Sequence, residues 1–255
     1  MAYFNKAETD RRLEGVRRIL AEKRLDAALV YFDELNVANG WYLTGWCGQF
    51  EKGAVLVPIH GEPILLGGPE SEPFAKMDSA ITKVRCFPVF MVPDEEYPNA
   101  TIIDFRQLDE ELRAEGTVLR RIGIVGTTTI PHQVYVDVSA GFAGAELIDI
   151  TEEYETMRAY KSPWEAEQAA ASVLLCDKAY DAMADAIRPG AYEFAVAAAG
   201  EAVCRENGAN SFAYSTIVGS GARAKAVVPT ATNKRMEDGE LVMIGIAPRI
   251  NGYAG

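Results

Sequence analysis

The stretch from Tyr214 to Gly255 constrains the fold of this chain more than any other. It alternates β-branched or apolar runs with glycines: Tyr-Ser-Thr-Ile-Val, Gly-Ser-Gly-Ala-Arg, Val-Val-Pro-Thr, Asp-Gly-Glu-Leu-Val-Met-Ile-Gly-Ile-Ala-Pro and Asn-Gly-Tyr-Ala-Gly. The pattern predicts strand, glycine-rich loop, strand, turn, strand, with the middle strand at Val227-Val228-Pro229. Asp238-Gly239 makes the turn, because glycine takes positive φ without steric cost and aspartate tolerates it. A chain ending in such a ribbon needs other elements to cover its apolar face.

The preceding 150 or so positions alternate strand-length and helix-length patterns, which argues for an α/β domain with a mixed sheet covered by helices. Leu13, Val16, Ile19 and Leu20 fall at helical spacing in a first helix over 9–24, with Thr9 as its cap. Asp26–Phe32 is a continuous apolar run of strand length. Asn36–Trp46 reads as a short helix or turn dense in aromatics, and 53–59 and 62–68 as a strand pair around His60-Gly61. Helices are expected over 70–77, 101–115 and 131–143, and strands over 83–92, 121–126 and 146–150.

Beyond Glu152 the texture changes. Ser162-Pro-Trp-Glu165 is a capping box with proline at the first helical position. The long helix that follows is expected to bury Ala169, Val173, Cys176, Ala179, Tyr180 and Met183, and to stop at Pro189-Gly190. A second helix spans 192–207. The expected domains are therefore 1–155 and 156–255.

Composition narrows the function classes. A formal charge of −12 argues against nucleic acid and against anionic membranes, both of which need clustered Lys and Arg. No apolar run reaches the roughly 18 residues of a membrane span, and the N-terminal stretch is polar. Cys47, Cys86, Cys176 and Cys204 lie far apart, as reduced cytosolic thiols do, which points to the cytoplasm. His60 and His132 sit in a turn and near a helix start, where structural or solvated roles are expected. Gly126-Thr-Thr-Thr ends a strand but lacks the glycine-lysine spacing of a phosphate loop.

Arg158-Ala-Tyr-Lys-Ser-Pro-Trp-Glu165, Arg188-Pro-Gly190, Glu206-Asn-Gly-Ala209 and the terminal ribbon together resemble the pita-bread superfamily of aminopeptidase P, prolidase and creatinase. Its two-domain members are the nearest in pattern, down to an aromatic segment like Tyr42-Leu-Thr-Gly-Trp46. The resemblance implies an α/β N-terminal domain followed by an α+β pita-bread domain. Only the first half of that second domain is expected here, so the sequence reads as a piece of a longer chain or as one partner of two polypeptides.

The resemblance also implies chemistry. The superfamily holds two divalent metals with two Asp, one His and two Glu, and binds substrate with a further His, so that the ions activate a water. At the positions of the substrate-binding His and the first metal Asp, this sequence has Val228 and Gly245. Neither can serve as a ligand, so no cofactor is expected, with manganese, zinc or cobalt as the alternative if the site is remodelled. Three readings stay open: a metal-independent creatinase-like hydrolase of a C–N bond in a small amide or amidino compound, a remodelled Xaa-Pro metallopeptidase, and a non-catalytic scaffold. The expected partners are a small molecule or short peptide and a second copy in a homodimer. By position, Tyr214, Val228, Gly245 and Asn251 line the pocket. Trp46, Phe50 and Lys52 reach a ligand by resemblance, with core packing as the competing role of the aromatics. Arg223 and Lys225 either meet a carboxylate or are solvated.

Overall fold

The computed structural model describes residues 5–93 and 96–255 and divides into two compact units, Met1–Tyr160 and Lys161–Gly255. In the first unit, helix α1 (Lys6–Lys23) is followed by strand β1 (Ala27–Phe32), helix α2 (Ala38–Thr44), strands β2 (Gly53–Pro58) and β3 (Ile64–Gly67) and helix α3 (Glu72–Asp78). Strand β4 (Val84–Cys86), helix α4 (Phe105–Ala114), strand β5 (Arg121–Val125), helix α5 (His132–Gly141), strand β6 (Glu146–Asp149) and helix α6 (Thr151–Ala159) complete it.

The six strands form one mixed sheet in the order β4-β3-β2-β1-β5-β6. β1 runs antiparallel to β2, from Ala27 opposite Pro58 to Phe32 opposite Gly53, and parallel to β5. Every residue of β1 and β2 is buried, as continuous apolar runs require when helices cover both faces. Phe87, Phe90, Phe105 and Phe142 pack on one face, and Val16, Leu20, Tyr42 and Tyr154 on the other.

Three local expectations are corrected. The cap of α1 is Asn5, whose side-chain oxygen accepts from the amides of Ala7 and Glu8, while Thr9 is buried inside the helix. The strand expected over 83–92 stops at Cys86, because Pro88 has no amide for a ladder, and Pro88–Phe90 forms a 3-10 turn. The helix expected over 101–115 starts only at Phe105, where Asp104 and Gln107 make a capping box. Helix α6 belongs to the first compact unit, with Tyr154 in its core, and that unit runs to Tyr160.

The second unit packs helices α7 (Pro163–Ala186) and α8 (Glu193–Glu206) against two small sheets. Strands β7 (Ser211–Phe212), β10 (Pro248–Ile250) and β11 (Tyr253–Ala254) form one, in the order β11-β10-β7. Strands β8 (Ile217–Ser220) and β9 (Val242–Gly245) form the other. The Ser162 hydroxyl and the Glu165 carboxylate close the predicted capping box at the start of α7. The helix buries only part of the expected face: Ala179 and Met183 are buried as expected, and Ala169 and Cys176 half-buried. Glu165, Ser172, Leu175, Ala179 and Met183 point inward, whereas Val173 and Tyr180 are half exposed. The register is set by Glu165, held at the helix start by its cap, and by Gly200 of α8, where an added Cβ would come within 2.6 Å of Met183. Nor is Val227-Val228-Pro229 a strand. Gly221–Lys225 forms a 3-10 turn and the loop after it leaves both valines exposed, with one bridge from Ile217 to Thr230.

Candidate functional site

β8 and β9 pair antiparallel with Ile217 opposite Gly245, so that the two positions face the same side. A Cβ built on Gly245 would lie 3.5 Å from Ile217 and 3.7 Å from the hydroxyl oxygen of Tyr214. Tyr214 is 48% exposed, and its hydroxyl carries no hydrogen bond among the described residues. Two of the pocket positions expected from sequence are thus brought together at one strand pair: a free hydroxyl over a strand position without a side chain.

Val228 is not shown beside them. It is 69% exposed on the loop that flanks the other edge of β8, where the Val218 amide donates to the Pro229 carbonyl. That loop is held by Glu193, in the first turn of α8 and fully buried. Its carboxylate accepts from the amide and hydroxyl of Ser220 (2.8 and 2.9 Å), from Arg223 Nε (3.1 Å), and from the amide and hydroxyl of Thr232 (3.1 and 2.7 Å). Lys234 extends the cluster to Glu240 (2.6 Å) and the Ser220 hydroxyl (3.1 Å). Burial alone raises the pKa of Glu193, but the donors of Thr232 and Ser220 and the charge of Arg223 outweigh it and hold the carboxyl below its ordinary value. Arg223, although partly exposed, is engaged at both ends, since its other end donates to the Thr230 carbonyl at 2.5 Å. Lys225 is exposed.

Asn251 sits in the β10–β11 turn at φ 49° beside Gly252 at 85°, the Asn-Gly pair such a tight hairpin favours. Its amide donates to Gln168 Oε1 at 2.7 Å. The Tyr253 hydroxyl donates to Glu165 at 2.7 Å and its ring meets Trp164 edge-on, so the first turns of α7 fix this hairpin.

In the first unit, Trp46 is half-buried against the core, while Phe50 is 73% exposed with φ at 67°. A left-handed backbone costs a side-chain-bearing residue about 1–2 kcal/mol. The neighbouring Glu51 imposes it: its buried carboxylate accepts from the amides of Ser71 (2.7 Å) and Glu70 (3.2 Å), and the Lys52 amide donates to the Phe90 carbonyl. His60 and His132 are both exposed. Burial pushes the thiols of Cys86 and Cys204 up, to about 12 and about 11, which fits core packing rather than nucleophilic chemistry. The loop after β5 is closed internally, by the Gly126 amide on the Thr151 hydroxyl and the Thr127 hydroxyl on Asp149.

Residues 12–160 match the family model for the creatinase/prolidase N-terminal domain, and residues 167–255 match that for metallopeptidase family M24. The chain belongs to the creatinase/prolidase family. The match agrees with the pita-bread resemblance drawn from the residues and with an α/β unit followed by an α+β unit. Among curated relatives of this creatinase/prolidase chain, the uncharacterized peptidase YqhT of Bacillus subtilis is 30% identical over 95% of it and 62% of the relative. The Xaa-Pro dipeptidase of Pyrococcus furiosus is 29% identical over the same shares. The chain thus spans about three fifths of the length of these relatives. Of solved structures, the X-Pro aminopeptidase of Thermotoga maritima superposes with a TM-score of 0.79 at 22% identity, over 95% of this chain and 62% of that one. The prolidase of Pyrococcus furiosus superposes at 0.72 and 25% identity, over 95% and 67%.

The model matched by residues 167–255 is that of a metallopeptidase family. Gly245 offers no side chain and Val228 no donor atom, and among the described residues no group of three or more His, Cys, Asp or Glu side chains converges as a metal site would require.

Proposed function

We propose that this protein is a creatinase/prolidase-type hydrolase that cleaves a C–N bond in a small amide, an amidino compound or an Xaa-Pro-type peptide. The 214–255 segment contributes a hydroxyl and an open strand position to its site rather than metal ligands. The observation that carries the reading is the Tyr214 hydroxyl, on the segment leading into β8, 3.7 Å from the Cβ position of Gly245, in a chain whose relatives include Xaa-Pro dipeptidases. Hydrolysis adds water across the C–N bond, its hydroxyl to carbon and its proton to the leaving nitrogen. The Tyr214 hydroxyl donates to the carbonyl or amidino group being attacked, where negative charge develops. Trp46 offers the part of its ring that the first unit's core leaves uncovered, and Phe50 and Val228 are exposed enough to touch a ligand. Asn251 does so while held by Gln168.

The test is turnover by the full-length protein of glycyl-proline, creatine and simple amides, with metal content measured on the same preparation. Turnover with substoichiometric metal, reduced about 100-fold in Tyr214→Phe, supports the proposal. Stoichiometric manganese, zinc or cobalt sinks the metal-free part and returns the chain to the remodelled metallopeptidases. A second reading, left open by Val228 and Gly245 at the positions where the resemblance implies His and Asp, is a non-catalytic binding protein. Binding without turnover of any of these compounds selects it. The acidic charge and free thiols support a cytoplasmic place, and the homodimer is checked by the mass of the protein in solution.

A further inference from the structure

Resting on that reading of the site, we propose that Tyr214 and Gly245 form a niche for an uncharged hydrogen-bonding group of the ligand, a neutral amide rather than a carboxylate. The argument begins with why residue 245 is a glycine. Every other described glycine of the second unit either takes a positive φ or would drive a Cβ to within 2.6 Å of a neighbouring atom. Gly245 does neither, because its Cβ would meet Ile217 and Tyr214 at 3.5–3.7 Å, an ordinary contact distance. The fold would accept a side chain there. A glycine inside a strand also costs about 0.5–1 kcal/mol relative to alanine. Where neither backbone nor packing asks for it, a strand glycine marks the close approach of something else, and here the Tyr214 hydroxyl faces the gap.

The chemistry of the niche follows from what surrounds it. The three atoms nearest the 245 position are two carbons of Ile217 and the tyrosine oxygen, none of them charged. Two cations of the adjacent loop are engaged, Arg223 on Glu193 and the Thr230 carbonyl and Lys234 on Glu240 and Ser220, while the exposed Lys225 is not among the atoms nearest position 245. A carboxylate entering the gap would exchange its hydration for one neutral O–H donor, a poor bargain for an ion. A neutral amide loses far less on leaving water and recovers it through the same hydroxyl.

The experiment compares two probes that differ only in this respect, N-acetylprolinamide and N-acetylproline, by calorimetric titration of the full-length protein. The amide is expected to bind at least about tenfold more tightly. Gly245→Ala should weaken amide binding about tenfold or more while leaving the thermal midpoint unchanged or slightly raised, because the new methyl fits and alanine restricts the unfolded chain. Tyr214→Phe should weaken it similarly. Equal or tighter binding of the carboxylate, no binding of either probe, an unaffected Gly245→Ala, or a Gly245→Ala that fails to fold each overturns the niche. The outcome is separable from the hydrolase reading: amide preference without turnover leaves the niche standing, and turnover with carboxylate preference removes the niche alone.

Discussion

The two units of this chain hold themselves together by different means. In the first, β1 and β2 are buried along their whole length, and the interior polar groups include Tyr154 and Arg12, which donate to the carbonyls of Asn39 and Tyr42, and one carboxylate, Glu51, which accepts from two backbone amides and from no charged group shown there. In the second, β9 is half exposed throughout, α7 leaves Val173, Leu174 and Tyr180 at 50–64% exposure, and an ionised carboxylate sits in the interior. Apolar burial at about 25 cal/mol per Å² does most of the work in a sheet closed on both faces. A unit with less interior must fix its loops by charge-assisted hydrogen bonds, which are stronger and more directional but collapse when one partner is lost. The loop beside the candidate site is of that second kind.

The sharpest way to break the contrast is to remove Glu193. Glu193→Ala leaves the Ser220 and Thr232 donors and Arg223 without their acceptor, and should cost the second unit about 3 kcal/mol, discounted from the full range because Arg223 is partly exposed. Hydrogen exchange under urea should show the β8 and β9 amides losing protection while those of β1 and β2 keep theirs. Because the folded pKa of Glu193 is depressed, its contribution is fully present above the ordinary glutamate value near 4.3 and is lost as pH falls through the lower folded value. The same amides should therefore lose protection on acidification below about pH 4, and Glu193→Gln should flatten that dependence. Equal loss in both units would show that they are not held separately.

This contrast also explains what could be read from the residues beforehand. Ala27–Phe32 and Gly53–Pro58 were legible because a run buried on both faces needs no partner to identify it. The capping box at Ser162–Glu165 and the Asp238-Gly239 turn were legible because each is complete within a few positions. Tyr214 and Gly245 were placed by resemblance, and their adjacency rests on the β8–β9 register. Glu193 and Glu51 carried no local signal, since their partners lie 19–39 positions away. The buried face of α7 was misjudged in part, for a related reason. Val173 and Tyr180 fit an apolar period, but the capped Glu165 and the groove at Gly200 decide the register, and neither is visible to periodicity. Helix α6, with Tyr154 its one buried side chain, has no apolar stripe to announce it.

Both units begin one of their helices with a capping box, which allows a matched test of intermediate size. Ser162→Ala removes the acceptor of the Glu165 amide, at a residue whose carboxylate accepts from the 162 backbone amide and from the Tyr253 hydroxyl. Asp104→Ala removes only a local cap on an exposed turn. Each should cost about 1 kcal/mol by loss of the cap. Ser162→Ala should cost the more, because the hairpin tied to Glu165 loosens with it. Urea midpoints of the two variants decide this, and equal costs would mean that the Tyr253 contact adds nothing to the cap.

The smallest expected effect bears on the exposed face of α7. If Val173 and Tyr180, each about half exposed, contribute little to packing, then Val173→Ser and Tyr180→Ser should each change the stability of this chain by less than about 0.5 kcal/mol. A buried face answers differently: truncating Leu175, which is 4% exposed, to alanine should cost several times more, because it opens a cavity among Met183, Val196 and Cys204. Should the serine variants instead lose more than about 1 kcal/mol, or change the mass of the protein in solution, the outward residues of α7 must be covered in the assembled protein. The second unit would then draw on apolar burial much as the first does, with its partner surface supplied from outside residues 161–255.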